Sequence, residues 1–203
     1  MRNQYLDLVA TDHVKFYQTR FGSRAAYAKQ ESGPVVHDEL GPEETEFIAS
    51  QDAFFLGSLG ENGWPYTQHR GGPAGFVKVL DSRTVGFPDF PGNRQYLSFG
   101  NIKGNDRVSL FFIDFPLQGR LKLLGHARLV EKSTDPELIR RLEPAGLEGK
   151  IERGVIVTVA AYDWNCSKYI TPRYTAEQIE AAIEPLKQRI AELEQQLAEK
   201  SED

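Results

Sequence analysis

Three stretches of this sequence set cations beside glycine, proline or a helix-starting residue, and each is suited to meet an anion. The first is Tyr66-Thr67-Gln68-His69-Arg70-Gly71-Gly72-Pro73-Ala74-Gly75-Phe76. A strand pattern ends there in a glycine-rich bend. Glycine admits φ > 0 and lets a ligand approach the backbone closely. The N–H groups of such a bend bind carbonyl oxygens or phosphate, and Arg70 offers a bidentate fork. The same residues also suit an ordinary loop or bulge with a surface arginine. The second stretch is Phe87-Pro88-Asp89-Phe90-Pro91-Gly92-Asn93-Arg94-Gln95-Tyr96-Leu97. A strand ends, a Pro/Gly loop follows, and Asn93 is the expected N-cap of a helix. Free N–H groups and the positive dipole end at a helix start favour phosphate, and Arg94 adds a charge at that place.

The third stretch starts at Arg120. With period two, Arg120, Lys122, Leu124, His126, Arg128 and Val130 share one face of a strand, and Leu121, Leu123, Ala127 and Leu129 share the other. So basic a face is either solvated or turned to an anion. Three separate basic segments in one chain point to a bound phosphate ester. Other chemistry has less support. There is no Gly-x-Ser-x-Gly elbow and no Walker-type phosphate loop. His13, His37, His69 and His126 are scattered without metal-ligand spacing, so no metal site is expected. His69 and His126 remain possible haem ligands. Trp164-Asn165-Cys166 could set an aromatic ring and an amide near a ligand, with Cys166 expected as a small buried residue.

The elements that must position these groups are mostly strands. Seven segments read as β: Ala53–Leu59, Trp64–Arg70, Phe76–Leu80, Thr84–Phe87, Val108–Phe112, Arg120–Val130 and Val155–Ala161. Short strands with turn-rich links favour a closed antiparallel sheet. Residues 1–50 read as polar and mainly helical, with Gly41-Pro42-Glu43-Glu44 as a helix start. Arg94–Ile102 and Asp135–Leu142 read as helices between strands.

The 203 residues carry a net charge of −5, but unevenly. From Thr175 to Asp203 there are eight acidic and three basic residues, so the rest of the chain balances to zero. A neutral body with an acidic tail excludes a general nucleic-acid binder. No apolar run is long enough for a membrane span, and Met1 to Asp7 lacks a signal peptide's apolar segment. With one cysteine there is no internal disulfide. A cytoplasmic protein is expected.

In the tail, Thr175-x-x-Gln178 is a capping-box pattern. Ile179, Ile183, Leu186, Ile190, Leu193 and Leu197 follow at spacings of four and three, a coiled-coil seam. Such a helix packs on its own body or pairs with a second copy. Pro185 should kink it or start a new helix. The expected division is a domain over 1–174 and a helical tail over 175–203.

Trp64-Pro65-Tyr66-Thr67-Gln68-His69-Arg70-Gly71-Gly72-Pro73, then Pro91-Gly92-Asn93-Arg94-Gln95-Tyr96, then Asn105-Asp106-Arg107-Val108-Ser109-Leu110-Phe111-Phe112, resembles the pyridoxamine 5′-phosphate oxidase-like flavoproteins, in their branch of flavin-nucleotide-binding proteins. The resemblance covers roughly Glu43 to Thr171. It implies a mainly β, α+β fold: a six-stranded antiparallel split β-barrel that binds FMN, with a C-terminal helical extension, working as a homodimer with the cofactor sites at the interface. In that family one strand brings an arginine to the phosphate and lines the flavin ring; Gln68, His69, Arg70 and Gly71 occupy it here, with Gly72 also permitting ring approach. Phe87-Pro88-Asp89 stands where the family has an aromatic and a threonine, which makes Pro88 and Asp89 further expected cofactor contacts. Asn93-Arg94-Gln95 stands for the family's Ser-Arg-Lys, with only the arginine matching. Arg120 and Lys122 lie on the strand by which a second subunit closes the site, where they would meet charge on the reduced flavin.

The family's vitamin-oxidising members carry an Arg-x-His segment near the C-terminus. After Trp164 this chain reads Asn165-Cys166-Ser167-Lys168-Tyr169-Ile170-Thr171-Pro172-Arg173-Tyr174 instead. The resemblance therefore implies an FMN-dependent oxidoreductase with a small redox substrate other than vitamin B6. The alternatives are the same fold holding F420 or haem, or a flavin-binding module that senses or stores without turnover.

Overall fold

Period-two alternation dominates the middle of the chain, and a computed structural model arranges it as one seven-stranded sheet. Residues 1–164 and 166–201 are described; Asn165, the amide noted above, lies outside them. In chain order the elements are β1 (Arg2–Asn3), α1 (Gln4–Val9), α2 (Asp12–Arg20), α3 (Arg24–Ala28), β2 (Val35–Val36), α4 (Pro42–Ser50), β3 (Ala53–Leu59), β4 (Pro65–Gly71), β5 (Lys78–Asp81), β6 (Thr84–Pro88), α5 (Leu97–Gly104), β7 (Arg107–Asp114), β8 (Gly119–Glu131), α6 (Pro136–Leu142), β9 (Arg153–Trp164) and α7 (Ala176–Ser201). β1 and β2 form a small parallel pair.

The main sheet runs β4-β3-β7-β8-β9-β6-β5, and every pairing is antiparallel. Its strand count matches the seven segments read from the residues and differs from the six implied by the resemblance. The sheet is open: its end strands, β4 and β5, are not hydrogen-bonded to each other. The fold is thus mainly antiparallel β with helices.

Alternation divides the side chains between two cores. One face buries Leu56, Leu110, Leu121, Leu123, Val155 and Val157 around a cluster of Phe54, Phe76, Phe87 and Phe112. Phe54 anchors this cluster, with ring centroids 5.0 Å from Phe87 and 5.1 Å from Phe112. Interlocked rings gain more than their area burial alone. The other face is covered near the ends of β8 and β9 by α6, where Val130 and Ile156 pack with Ile139 and Leu142. Val130 therefore lies on the basic face of β8, as its spacing predicts, yet is buried. Leu129, on the opposite face at the strand's end, is exposed.

α4 begins with Pro42 in its first turn. The Glu44 carboxylate accepts from the Gly41 N–H at 2.9 Å and from the Trp164 indole N–H at 2.7 Å. Trp164 also meets Phe47 edge-on at 4.8 Å, so it packs against the core, partly buried, and ties β9 to α4. Cys166 is exposed, against the expectation of burial, because it follows the strand instead of lying within it.

The chain separates into two compact units: residues 1–114 with 119–166, and 115–118 with the residues from Ser167 onward. In the second unit Arg173 lies over the Phe115 ring at 4.8 Å. Thr175 forms the expected capping box, its hydroxyl accepting from the Gln178 N–H at 3.2 Å and its N–H donating to Gln178 Oε1 at 2.9 Å. α7 is a single helix that contains Pro185; a second helix does not begin there. No helix among the described residues is long and apolar enough to cross a membrane.

Candidate functional site

β4 is an edge strand, so one of its sides carries no neighbouring strand. Alternation puts half-buried Tyr66, Gln68 and Arg70 on one face and exposed Thr67, His69 and Gly71 on the other. The inward face lines a cleft of about 270 Å³. Gln68 is fixed there by the Ser98 hydroxyl of α5, which donates to its Oε1 at 2.8 Å.

The opposite wall is set by register. β6 and β9 pair Pro88 with Gly154, which sets Asp89, just beyond β6, beside Arg153, the first residue of β9. The Asp89 N–H donates to the Arg153 carbonyl at 2.9 Å. The Asp89 carboxylate then joins two guanidinium groups: Arg70 Nη1 at 3.1 Å and Arg153 Nε at 3.4 Å. Arg70 and Asp89 are both well buried, at 15% and 12% side-chain exposure. A buried charge must be paired, and each of these serves the other. Even so, Arg70 Nε is buried without a hydrogen-bond partner.

The third wall is the segment between β6 and α5. The expected cap at Asn93 is not what forms. Asn93 Oδ1 accepts from the Gln95 N–H at 3.2 Å, closing a local turn, and the helix starts only at Leu97. Two non-glycine residues in this segment adopt left-handed conformations, Arg94 with φ 60° and Tyr96 with φ 53°. Such conformations are uncommon outside glycine and are held by their surroundings. Here the Arg153 guanidinium sits 5.4 Å from the Tyr96 ring centre and 5.9 Å from that of Phe99, cation–π contacts that tether the segment to β9. Arg94 and Gln95 are exposed at the rim.

Gln68, Arg70, Asp89, Asn93, Arg94 and Gln95 therefore meet in one cleft. The other expected residues sit elsewhere. The His69 ring packs edge-on against Phe55 at 5.7 Å, on the far face of β4. Gly71 is exposed on that same face. A Cβ at Gly72 would come 2.7 Å from Phe76 Cγ and 2.8 Å from Phe90 Cε2, so aromatic packing demands a glycine here. Pro88 is buried in the β6–β9 ladder. Arg120 and Lys122 lie on the outward face of β8. Arg120 donates to the Cys166 carbonyl. Lys122 pairs with Asp163 at 2.9 Å beneath the Tyr5 ring at 4.6 Å. Burial raises the Tyr5 phenol, the Lys122 charge opposes that rise, and the Asp163 charge adds to it.

Lys150, Glu152 and Arg153 also line the cleft and carry no motif in the sequence. The one sequence signal for them is a cluster of charges just before the last strand. In all, four cations (Arg70, Arg94, Lys150, Arg153) face two carboxylates (Asp89, Glu152). The cleft is a positively charged, partly buried site with aromatic walls, suited to a phosphate ester attached to something flat.

A family model described as pyridoxamine 5′-phosphate oxidase matches residues 40–148. Among solved structures, HupZ from Group A Streptococcus aligns at a TM-score of 0.51 and 14% identity, over 66% of this chain and 99% of that one. A Clostridium acetobutylicum protein of the pyridoxinephosphate oxidase family, related to general stress protein 26, aligns at 0.45 and 17%, over 61% and 85%. A protein named F420 reductase aligns at 0.43 and 18%, over 61% and 98%. At 14% identity the HupZ likeness is one of fold. No curated protein sequence matches this chain.

Proposed function

The chain belongs to the pyridoxamine 5′-phosphate oxidase family, and from that premise we propose that it binds FMN in this cleft, as a homodimer of split-barrel subunits, and uses it in an oxidoreductase reaction. The observation that carries the proposal is convergence: Gln68 and Arg70 of β4, Asp89 after β6, and Asn93, Arg94 and Gln95 line one cleft.

The residues fit the phosphate end of FMN. A surplus of two positive charges over the carboxylates matches a phosphate monoester, which carries about −1.5 to −2 at neutral pH. The unpartnered buried Arg70 Nε is a donor that a phosphate oxygen would satisfy. In this reading Arg94 and Lys150 meet the phosphate from the rim. Asp89 holds Arg70 and Arg153 in place, and Phe90 and Tyr96 keep water from one side. A cleft of 270 Å³ falls just short of the roughly 300–1,000 Å³ of small-molecule sites, so the flavin ring needs a further wall. The partner copy would supply it, with the outward face of β8 as the candidate surface. FMN supplies the redox chemistry when bound; the protein holds it and shapes access. The substrate proposed is a small redox-active molecule other than vitamin B6, since the residues after Trp164 lack the vitamin-binding Arg-x-His segment.

The test is FMN titration of the full chain and of Arg94→Ala, followed by flavin fluorescence. The variant should bind more than tenfold more weakly, a loss of about 1.4 kcal/mol or more. An unchanged dissociation constant would remove Arg94 from the site. Uptake of F420 or haem with none of FMN would replace the cofactor. Bound FMN that neither NADH nor NADPH reduces would favour storage or sensing over turnover.

A further inference from the structure

α7 carries a second feature that the cleft does not use. Its apolar residues fall into a heptad pattern with Ile183, Ile190 and Leu197 at a and Ile179, Leu186 and Leu193 at d. The five from Ile179 to Leu193 are between 37% and 63% exposed. β-branched residues at a with leucine at d favour two-stranded coiled coils, and the central a and d positions, Ile183, Leu186, Ile190 and Leu193, follow that rule. Pro185 falls at c, on the outer side of the helix. It removes one backbone hydrogen bond without interrupting the seam.

The flanking charges discriminate between orientations. Glu180, Lys187 and Glu194 occupy e, and Ala182, Arg189 and Gln196 occupy g. In a parallel pair each g residue faces the e residue five positions further along the other helix. Arg189 then faces Glu194 of the second copy, twice by symmetry, and Lys187 faces neutral Ala182. In an antiparallel pair over the same seam, Glu180 faces Glu194 twice, Lys187 faces Lys187, and Arg189 faces Arg189. Every close charged contact would be repulsive. Arg189 at present pairs with Glu192 of its own helix at 2.8 Å. Both are well exposed, so that pair is weak competition.

We propose that α7 is a parallel, in-register, two-stranded coiled coil with a second copy of this chain, oriented by Arg189 and Glu194. This pairing uses none of the cleft's lining residues and holds whether or not FMN binds there.

Disulfide trapping on the full chain tests it, after the single cysteine is removed by Cys166→Ser. Leu193→Cys at d should give a covalent dimer on mild oxidation, because in-register d positions face each other across the seam. Gln195→Cys, at the outer f position, should not. Arg189→Glu should reduce the Leu193→Cys cross-link several-fold, and adding Glu194→Arg should restore it. No cross-link at 193, or an equal one at 195, would overturn the proposal. So would preferential cross-linking of Ile183→Cys chains to Leu193→Cys chains in a mixture, since that is the antiparallel register.

Discussion

Asp89→Asn is the most informative single change in the cleft. The substitution keeps the side chain's shape and removes one charge. Asp89 now faces Arg70 at 3.1 Å and Arg153 at 3.4 Å. At an effective dielectric of about 20, each contact is worth up to roughly 5 kcal/mol of attraction before desolvation is counted. Exposure sets how much survives. Arg70 is 15% exposed, which places its pair near the buried class, where loss of a partner costs about 3–5 kcal/mol. Arg153 is 35% exposed, which places its pair nearer the surface class at about 0–1 kcal/mol. Asparagine can still accept one hydrogen bond, so the expected net destabilisation is about 2–3 kcal/mol, or a fall in Tm of about 4–12 °C for a domain of this size. The loss should be recoverable. Removing Asp89 raises the cleft's surplus from two positive charges to three, so a bound phosphate would take over part of the carboxylate's role. Thermal denaturation with and without FMN, and with inorganic phosphate as the minimal ligand, should show a larger stabilisation of the variant than of the wild type. A variant as stable as the wild type would refute the account of Asp89. An equal ligand shift in both proteins would refute the cleft as the phosphate site.

Other outcomes are fixed by neighbouring geometry. Gly72→Ala must displace the Phe76 and Phe90 rings, which should cost about 1–3 kcal/mol. Gly71→Ala, whose Cβ meets only the His69 ring closely, should stay within about 0.5 kcal/mol; equal denaturation midpoints for the two would contradict the packing role of Gly72. The Tyr162 phenol is pushed up to about 12, first by burial and then by the Glu44 carboxylate. Its folded value thus lies above the ordinary 10, so the stability it contributes is full below about pH 10 and is lost as pH rises through about 12. Urea denaturation across that window should show a smaller pH-dependent loss for Tyr162→Phe than for the wild type, and parallel losses would exclude this cause.

Local chemistry was legible in the sequence, and non-local register was not. The capping box of Thr175 and Gln178 forms both of its hydrogen bonds, and Pro42 opens α4, because caps depend on residues within one turn. Alternation already placed Gln68 and Arg70 opposite His69; the family resemblance grouped them because it follows the backbone and not the faces. The helix start at Asn93 misled because an asparagine amide oxygen closes a two-residue turn as readily as it caps a helix. The left-handed Tyr96 that follows packs its ring against Arg153, far along the chain. Arg153 itself carries no motif. It reaches the cleft only because Pro88 pairs with Gly154, and such a pairing is fixed by the whole sheet.

The proposed occupant of this cleft is the phosphate of FMN. The most direct measurement is an absorbance spectrum of the purified full chain, before and after incubation with FMN and removal of the excess. A yellow protein is expected, with a two-banded flavin spectrum, near one FMN per chain, and release of free FMN on heating. A colourless protein that retains no added FMN would contradict it.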